Sequence, residues 1–220
     1  IGADSMQIYR GLDIGTAKPT AAEQALVPHH LIDVADPDED FDAQRYARLA
    51  AEAAARLTAA GRTPLVVGGT GLYIKALVYG LFQSATPNPR VRRRLQAEAR
   101  EAGPGELHRR LEACDPEAAG RIHPRDTFRL LRALETFEAT GRPISELQRG
   151  NGFRAPRFTP LTIGLTLPRE ALYHRIDQRV LAMLEAGFLE EVRGLLAAGW
   201  EPALKPLQSL GYRHMIAFLQ

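Results

Sequence analysis

The residues able to do chemistry fall in three short stretches. Ala3-Asp4-Ser5-Met6-Gln7-Ile8-Tyr9 presents a carboxylate where a strand is expected to end, and in open parallel sheets ligands gather beyond the carboxyl ends of strands. An Asp-Ser pair serves equally as a turn or a helix cap. Gly68-Gly69-Thr70-Gly71 follows the aliphatic run Leu65-Val66-Val67 and precedes a helical run from Leu72 to Leu81. Its glycines let backbone approach a ligand closely, and its amides and threonine hydroxyl could hold an anion or a reacting amine; a tight strand-to-helix turn also needs glycine. The loop Gly11-Leu12-Asp13-Ile14-Gly15-Thr16-Ala17-Lys18-Pro19 carries a hydroxyl and a lysine. It could line a pyrophosphate site or merely join two elements.

Other chemistries find little support. His29-His30 is an adjacent pair with no cysteine or further histidine at ligand spacing, which favours strand-edge or surface roles. No Gly-x-Ser-x-Gly elbow occurs, and Cys114 before Asp115-Pro116 reads as a helix end. A lone cysteine forms no internal disulfide, and no apolar run approaches the roughly 20 residues of a membrane helix, so the cytoplasm is the expected compartment. The chain opens at Ile1 as if within a strand, and we expect its beginning to be missing.

The elements that must position these residues alternate. Leu31–Val34 and Thr63–Val67 read as buried strands. Between them Tyr46, Leu49, Ala50, Ala53 and Leu57 recur at helical spacing, with Asp40 or Asp42 to cap the start and Gly61 the exit. Strand, helix, strand is the grammar of a parallel α/β sheet, and Leu161–Leu167 reads as a further strand. From Pro87 to Pro160 the spacing is helical throughout. The clearest helix there runs from about Asp126 to Thr140, with Leu130, Leu131, Leu134 and Phe137 on its core face and Gly141 at its end. Two more helices follow. Residues 169–186 are expected to bury Leu172, Ile176, Val180 and Leu184, with Arg175 and Arg179 sharing another face, and residues 189–198 end at Gly199.

Charge is unevenly spread. The net charge is +2, but Pro87–Arg157 holds 15 Arg against 10 acidic residues, +5, which leaves −3 for the rest. Arginine's planar fork suits phosphate, and Arg125, Arg129 and Arg132 form one stripe on the helix after Asp126. The same stripe reads as a solvated face balanced by Glu135 and Glu138.

Residues 3–20, Pro-His-His-Leu-Ile-Asp-Val (28–34), Val-Gly-Gly-Thr-Gly-Leu-Tyr (67–73), Arg-Ile-His-Pro-Arg-Asp (121–126), Arg-Leu-Leu-Arg-Ala-Leu-Glu (129–135) and Leu-Gly-Tyr-Arg (210–213) resemble, in order and spacing, the tRNA dimethylallyltransferase family. The resemblance implies a P-loop NTPase-like α/β core, a parallel sheet flanked by helices, over residues 1–86 and 158–220. It implies an all-helical tRNA-binding insertion over 87–157. The activity implied is transfer of a dimethylallyl group from dimethylallyl pyrophosphate to an adenosine beside the anticodon, with Mg2+, in a monomer that meets the tRNA anticodon stem-loop. Asp4 would be the general base, and Thr70 would sit at the reaction centre. Asp4, Ser5, Met6 and Gln7 would surround the extruded base. Arg92, Phe128, Arg129, Leu130, Leu131, Arg132, Gly211, Tyr212 and Arg213 would contact tRNA. Thr16, Lys18, Gly69 and Thr70 would line the pyrophosphate site, and Arg175 or Arg179 would meet the departing pyrophosphate. The sequence departs from the family in one respect: no Gly-x-x-x-x-Gly-Lys-Ser/Thr loop occurs in these 220 residues.

Three other functions share parts of this pattern. A P-loop small-molecule kinase would have the same core grammar. An isopentenyltransferase acting on free adenine nucleotides would need less basic surface. A non-catalytic RNA-binding module would use the arginines and leave Asp4 and Thr70 idle.

Overall fold

The computed structural model describes residues 1–81, 89–151 and 156–220; the expected domain boundary at 86/87 lies outside them. The chain divides into two compact units, Ile1–Val78 with Arg157–Gln220, and Tyr79–Pro156.

In the first unit, helix α1 (Ala21–Leu26) starts at a capping box: the Thr20 hydroxyl accepts from Glu23 N–H while the Glu23 carboxylate accepts from Thr20 N–H. Helix α2 (Ala43–Ala59) is capped by Asp42, whose carboxylate accepts from the amides of Gln44 and Arg45. It buries Tyr46, Ala50 and Ala53, as the spacing predicts. Helix α3 (Gly71–Tyr79) lays Tyr73 on Tyr46, the rings stacked with centroids 4.2 Å apart, and Phe41 tilts against the same ring at 6.3 Å.

The second unit is all helix: α4 (Pro89–Glu101), α5 (Pro104–Cys114), α6 (Pro116–Arg121), α7 (Thr127–Thr140) and α8 (Ile144–Asn151). Its core joins Leu95, Leu107, Leu111, Leu130, Leu131, Leu134 and Ile144. Asp126 caps α7, and Gly141 closes it at φ 68°. Asp115 is buried at the α5–α6 junction, where it accepts from Ala118 N–H at 3.0 Å and Ser145 N–H at 2.9 Å and so ties α8 to that corner. Burial alone would raise its pKa, but the hydrogen bonds from Ser145 and Ala118 prevail and hold the carboxyl below its ordinary range.

The chain then returns to the first unit with α9 (Arg169–Glu185), α10 (Phe188–Ala197), a short 3-10 turn at Lys205–Gln208, and α11 (Tyr212–Leu219). Gly187, at φ 95°, makes the turn from α9 into α10. Phe188, Val192, Leu207, Tyr212 and Ile216 form the core of this end, with the Phe188 and Tyr212 rings edge to face at 5.0 Å.

Two expectations need correction. Of the predicted strands only Thr63–Val67 carries a bridge among the described residues, an isolated parallel one between Gly2 and Val67; the other isolated parallel bridge, Tyr9 with Ala35, falls just past Leu31–Val34. Residues 161–167 pair with no neighbour there, and Leu165 is 96% exposed; a parallel strand is held by hydrogen bonds on its flanks and cover on both faces. Likewise α9 buries none of its residues: Leu172, Ile176, Val180 and Leu184 stay nearly half exposed. Periodicity identifies the apolar face of a helix but not what covers it.

Candidate active site

Asp4 stands where the chain leaves the Gly2–Val67 bridge. Ala3 N–H donates to Val67 C=O at 2.7 Å, Thr70 N–H to Ala3 C=O at 3.0 Å, and Ser5 N–H to Thr70 Oγ1 at 3.0 Å. The Asp4 tip and the glycine-rich turn are thereby laced together. Gly68 is required at this crossing: a Cβ there would lie 2.3 Å from the Ala3 carbonyl oxygen, and its φ of 158° suits glycine. Gly69 and Gly71 leave open space beside them. Asp4 Oδ1 accepts from Met6 N–H at 2.7 Å and Gln7 N–H at 3.2 Å. Both bonds fall on one oxygen, which fixes the carboxylate's orientation and leaves Oδ2 to take a proton.

Gln7 connects this tip to the loop at 11–19, its Nε2 donating to the carbonyls of Thr16 and Ala17. Ala17 and Asp33 hold positive φ, 50° and 53°, conformations that persist only where the surroundings enforce them. Lys18 supplies part of that enforcement. Its side chain is 3% exposed, and Nζ donates to Tyr9 C=O at 2.8 Å and to Asp13 and Asp33 at 2.5 Å each. Lys18 is therefore a pin within the loop, not a lysine free for pyrophosphate. The Thr16 hydroxyl likewise gives its one proton to the Leu12 carbonyl at 2.7 Å.

Glu191 on α10 completes the arrangement, and sequence reasoning missed it. Its carboxylate accepts from the successive amides of Asp13, Ile14 and Gly15, at 3.0, 2.6 and 3.3 Å, and from Tyr212 O–H at 2.5 Å. Consecutive amides of this kind make an anion nest. Gly15 must be glycine, since a Cβ would fall 2.2 Å from the Phe188 ring and 2.7 Å from that of Tyr212. No local signal marks Glu191, because its backbone partners lie 176 to 178 residues away in sequence and Tyr212 lies 21 away, on another helix.

Tyr212 is consequently not a tRNA contact. It is fully buried, and burial together with the Glu191 bond drives its hydroxyl pKa far above the ordinary tyrosine range. Gly211, at φ 90°, opens α11, and Arg213 projects into solvent beside His214. Arg175 and Arg179 stand exposed on α9, and among the described residues no contact joins them to the Asp4–Thr70 pair.

In the second unit, α4 and α7 share a basic face. Arg92 lies over the Phe128 ring, 5.9 Å from its centroid, and that ring is 68% exposed. Arg129 pairs with its cap Asp126, while Arg92 and Arg132 flank Glu135. Leu130 and Leu131 are core residues whose side chains do not reach this surface. Arg94 and Arg110 are engaged with Glu98 and Glu138, a network that braces α4, α5 and α7.

Among the described residues no three His, Cys, Asp or Glu gather as a metal cage. A magnesium ion carried in by substrate phosphates needs no such cage. His29 is exposed, and His30 sits half buried with its Nε2 unpartnered and its pKa lowered by burial. No helix among the described residues is long and apolar enough to cross a membrane.

The IPP transferase family model matches residues 7–220. The chain is 56% identical over 219 residues to the tRNA dimethylallyltransferase of Desulfosudis oleivorans, covering all of this chain and 70% of that protein. Among solved structures it resembles the full-length tRNA isopentenylpyrophosphate transferase of Bacillus halodurans, with a TM-score of 0.65 and 38% identity over 99% of this chain and 67% of the other. It also resembles a eukaryotic dimethylallyltransferase acting on tRNA, with a TM-score of 0.81 and 28% identity over 99% of this chain and 56% of the other. The chain thus spans between half and three quarters of these relatives. With the family model matched over residues 7–220, the chain belongs to the IPP transferase family.

Proposed function

We propose that this chain carries out tRNA dimethylallyl transfer: a dimethylallyl group passes from dimethylallyl pyrophosphate to the exocyclic amine of the adenosine 3′ to the anticodon. The observation that carries this reading is the lacing of Asp4 to Thr70, which holds a carboxylate oxygen and a hydroxyl at the mouth of an open glycine turn.

The allylic carbon–oxygen bond breaks, and its electron pair leaves with the pyrophosphate. The amine nitrogen forms the new bond to carbon and sheds a proton to Asp4 Oδ2. The exposed amide of Gly69 and the hydroxyl proton of Thr70 are offered to phosphate oxygens, and Arg175 or Arg179 meets the departing charge. Magnesium, when bound, neutralises part of that charge. Ser5, Met6 and Gln7 border the pocket for the base, which a loop adenosine can enter at a cost of about a few kcal/mol for unstacking. Arg92, Arg129 and Arg132 bind phosphates of the anticodon stem-loop, Phe128 offers a stacking face, and Arg213 adds a further cation. In this reading the first unit's core is a P-loop NTPase-like parallel sheet, in keeping with the parallel sense of both bridges, and the protein works as a cytoplasmic monomer.

The test is transfer of radiolabel from dimethylallyl pyrophosphate to unmodified tRNA by the full-length gene product with magnesium, beside an ATP control. Label on the adenosine next to the anticodon is the expected result. Phosphate transfer from ATP to a small acceptor, with no label on tRNA, would instead mark a kinase.

A further inference from the structure

Glu135 on α7 is a carboxylate in an unfavourable place. Its side chain is 3% exposed, yet neither oxygen accepts a hydrogen bond. Buried carboxylates are ordinarily satisfied, and one that is not calls for an explanation. Glu138, on the next position of the same helix to face α4, is engaged by both Arg94 and Arg110, so a brace between these helices already exists. Were Glu135 there for stability, an apolar side chain of similar volume would serve as well or better.

What surrounds Glu135 gives the explanation. Arg92 Nε approaches from α4 to 3.5 Å, and a terminal nitrogen of Arg132, one turn back on α7, to 3.9 Å. Both arginine side chains are about one-third exposed, 36% and 31%, whereas the anion between them is only 3% exposed. Arg92 is also the cation over the exposed Phe128 ring. Two guanidinium groups drawn to one surface repel each other, and each free arginine side chain loses rotamer freedom when it binds. A single negative charge under both relieves the repulsion and orders them beforehand.

We propose that Glu135 is a positioning residue for RNA binding. It holds Arg92 and Arg132 side by side over a buried charge, so that the pair and the Phe128 ring are preset for adjacent phosphates and a neighbouring base of the RNA. This rests on the assignment of the α4–α7 face to tRNA made above.

The experiment measures tRNA binding and steady-state transfer as a function of salt for the full-length wild type, Glu135→Gln, Arg92→Ala/Arg132→Ala and the triple variant. Losing one phosphate contact flattens the salt slope by about 0.7–0.9 and at 0.15 M salt weakens binding by roughly fivefold. Glu135→Gln is therefore expected to raise KM for tRNA about 5- to 25-fold with a shallower slope, while kcat at saturating tRNA and Tm hold. It should add nothing in the arginine-less background. A mere counter-charge behaves oppositely: its removal makes the face more positive, so binding as tight as wild type or tighter, with an unchanged or steeper slope, overturns the proposal. A fall in Tm that accounts for the binding loss, with Glu135→Leu restoring both, also overturns it. If the arginine double variant itself binds like wild type, the assignment of the face to tRNA is what fails.

Discussion

Replacing Glu191 with alanine leaves four donors to find other partners: the amides of Asp13, Ile14 and Gly15 and the Tyr212 hydroxyl. They are not equivalent. The Asp13 amide is exposed and the Gly15 bond is long at 3.3 Å, so water replaces these at little cost. The Ile14 bond at 2.6 Å and the Tyr212 bond at 2.5 Å are short and partly buried. A hydrogen bond to a charged group contributes roughly 1.5–3 kcal/mol net, and the low end for these two gives about 3 kcal/mol. For a chain of 220 residues that lowers Tm by roughly 6–12 °C. Locally it speeds opening of the loop about 100-fold, at about 1.4 kcal/mol per tenfold. Hydrogen exchange read on peptides covering 11–19 is the direct assay, with Tyr212→Phe expected to show only part of the effect. Wild-type protection of that loop in Glu191→Ala would refute the claim that Glu191 holds it, whatever happens to Tm.

The remaining predictions concern the two units separately. Asp4→Ala should lower turnover by about two to four orders of magnitude with tRNA affinity retained, in line with loss of a general base; unchanged single-turnover rates would remove Asp4 from the chemistry. Lys18→Met should lower stability, because it leaves Asp13 and Asp33 facing each other without their shared cation, yet leave KM for dimethylallyl pyrophosphate near the wild-type value; a large KM rise without loss of stability would make Lys18 a ligand after all. Asp115 has its pKa lowered on folding, so its contribution is present above the unfolded carboxylate value of about 4 and is lost as pH falls below that toward the folded value. Denaturant midpoints should decline below about pH 4 in the wild type and less steeply in Asp115→Asn.

What the sequence made legible was local. A cap at Asp40 or Asp42, which the structure gives to Asp42, Gly61 and Gly141 as exits, and the buried stripe of α7 all follow from neighbours a turn or two away. The lacing of Asp4 to Thr70 was legible only through family resemblance, since the two are 66 residues apart and the bond between them runs through Ser5 N–H. Tertiary placement defeated the rest. Lys18 looked like a phosphate ligand because a lysine in a glycine-bearing loop usually is solvated; only folding brings Asp33 beside it. Tyr212 looked like part of an RNA-facing motif, but the packing of α10 against α11 turns it inward onto Glu191. The apolar stripe of α9 was correctly read as a stripe and wrongly as buried.

The same distinction bears on the charge of the helical unit. A surplus of +5 over Pro87–Arg157 says that arginines are abundant there, not that they are available. Arg94 and Arg110 each bond two carboxylates, so their charge is spent on joining α4, α5 and α7. Arg92 and Arg132 differ in kind: they share one carboxylate, at 3.5 and 3.9 Å and without a hydrogen bond to it, so attraction draws both toward a single buried charge. Salt dependence should follow that division. Removing Arg94 or Arg110 costs stability with little change in the salt slope of RNA binding, whereas removing Arg92 or Arg132 flattens the slope by about 0.7–0.9 for each phosphate released. On the proposed assignment of this face to tRNA, affinity is set by where the carboxylates lie, above the arginines or below them, more than by how many arginines there are.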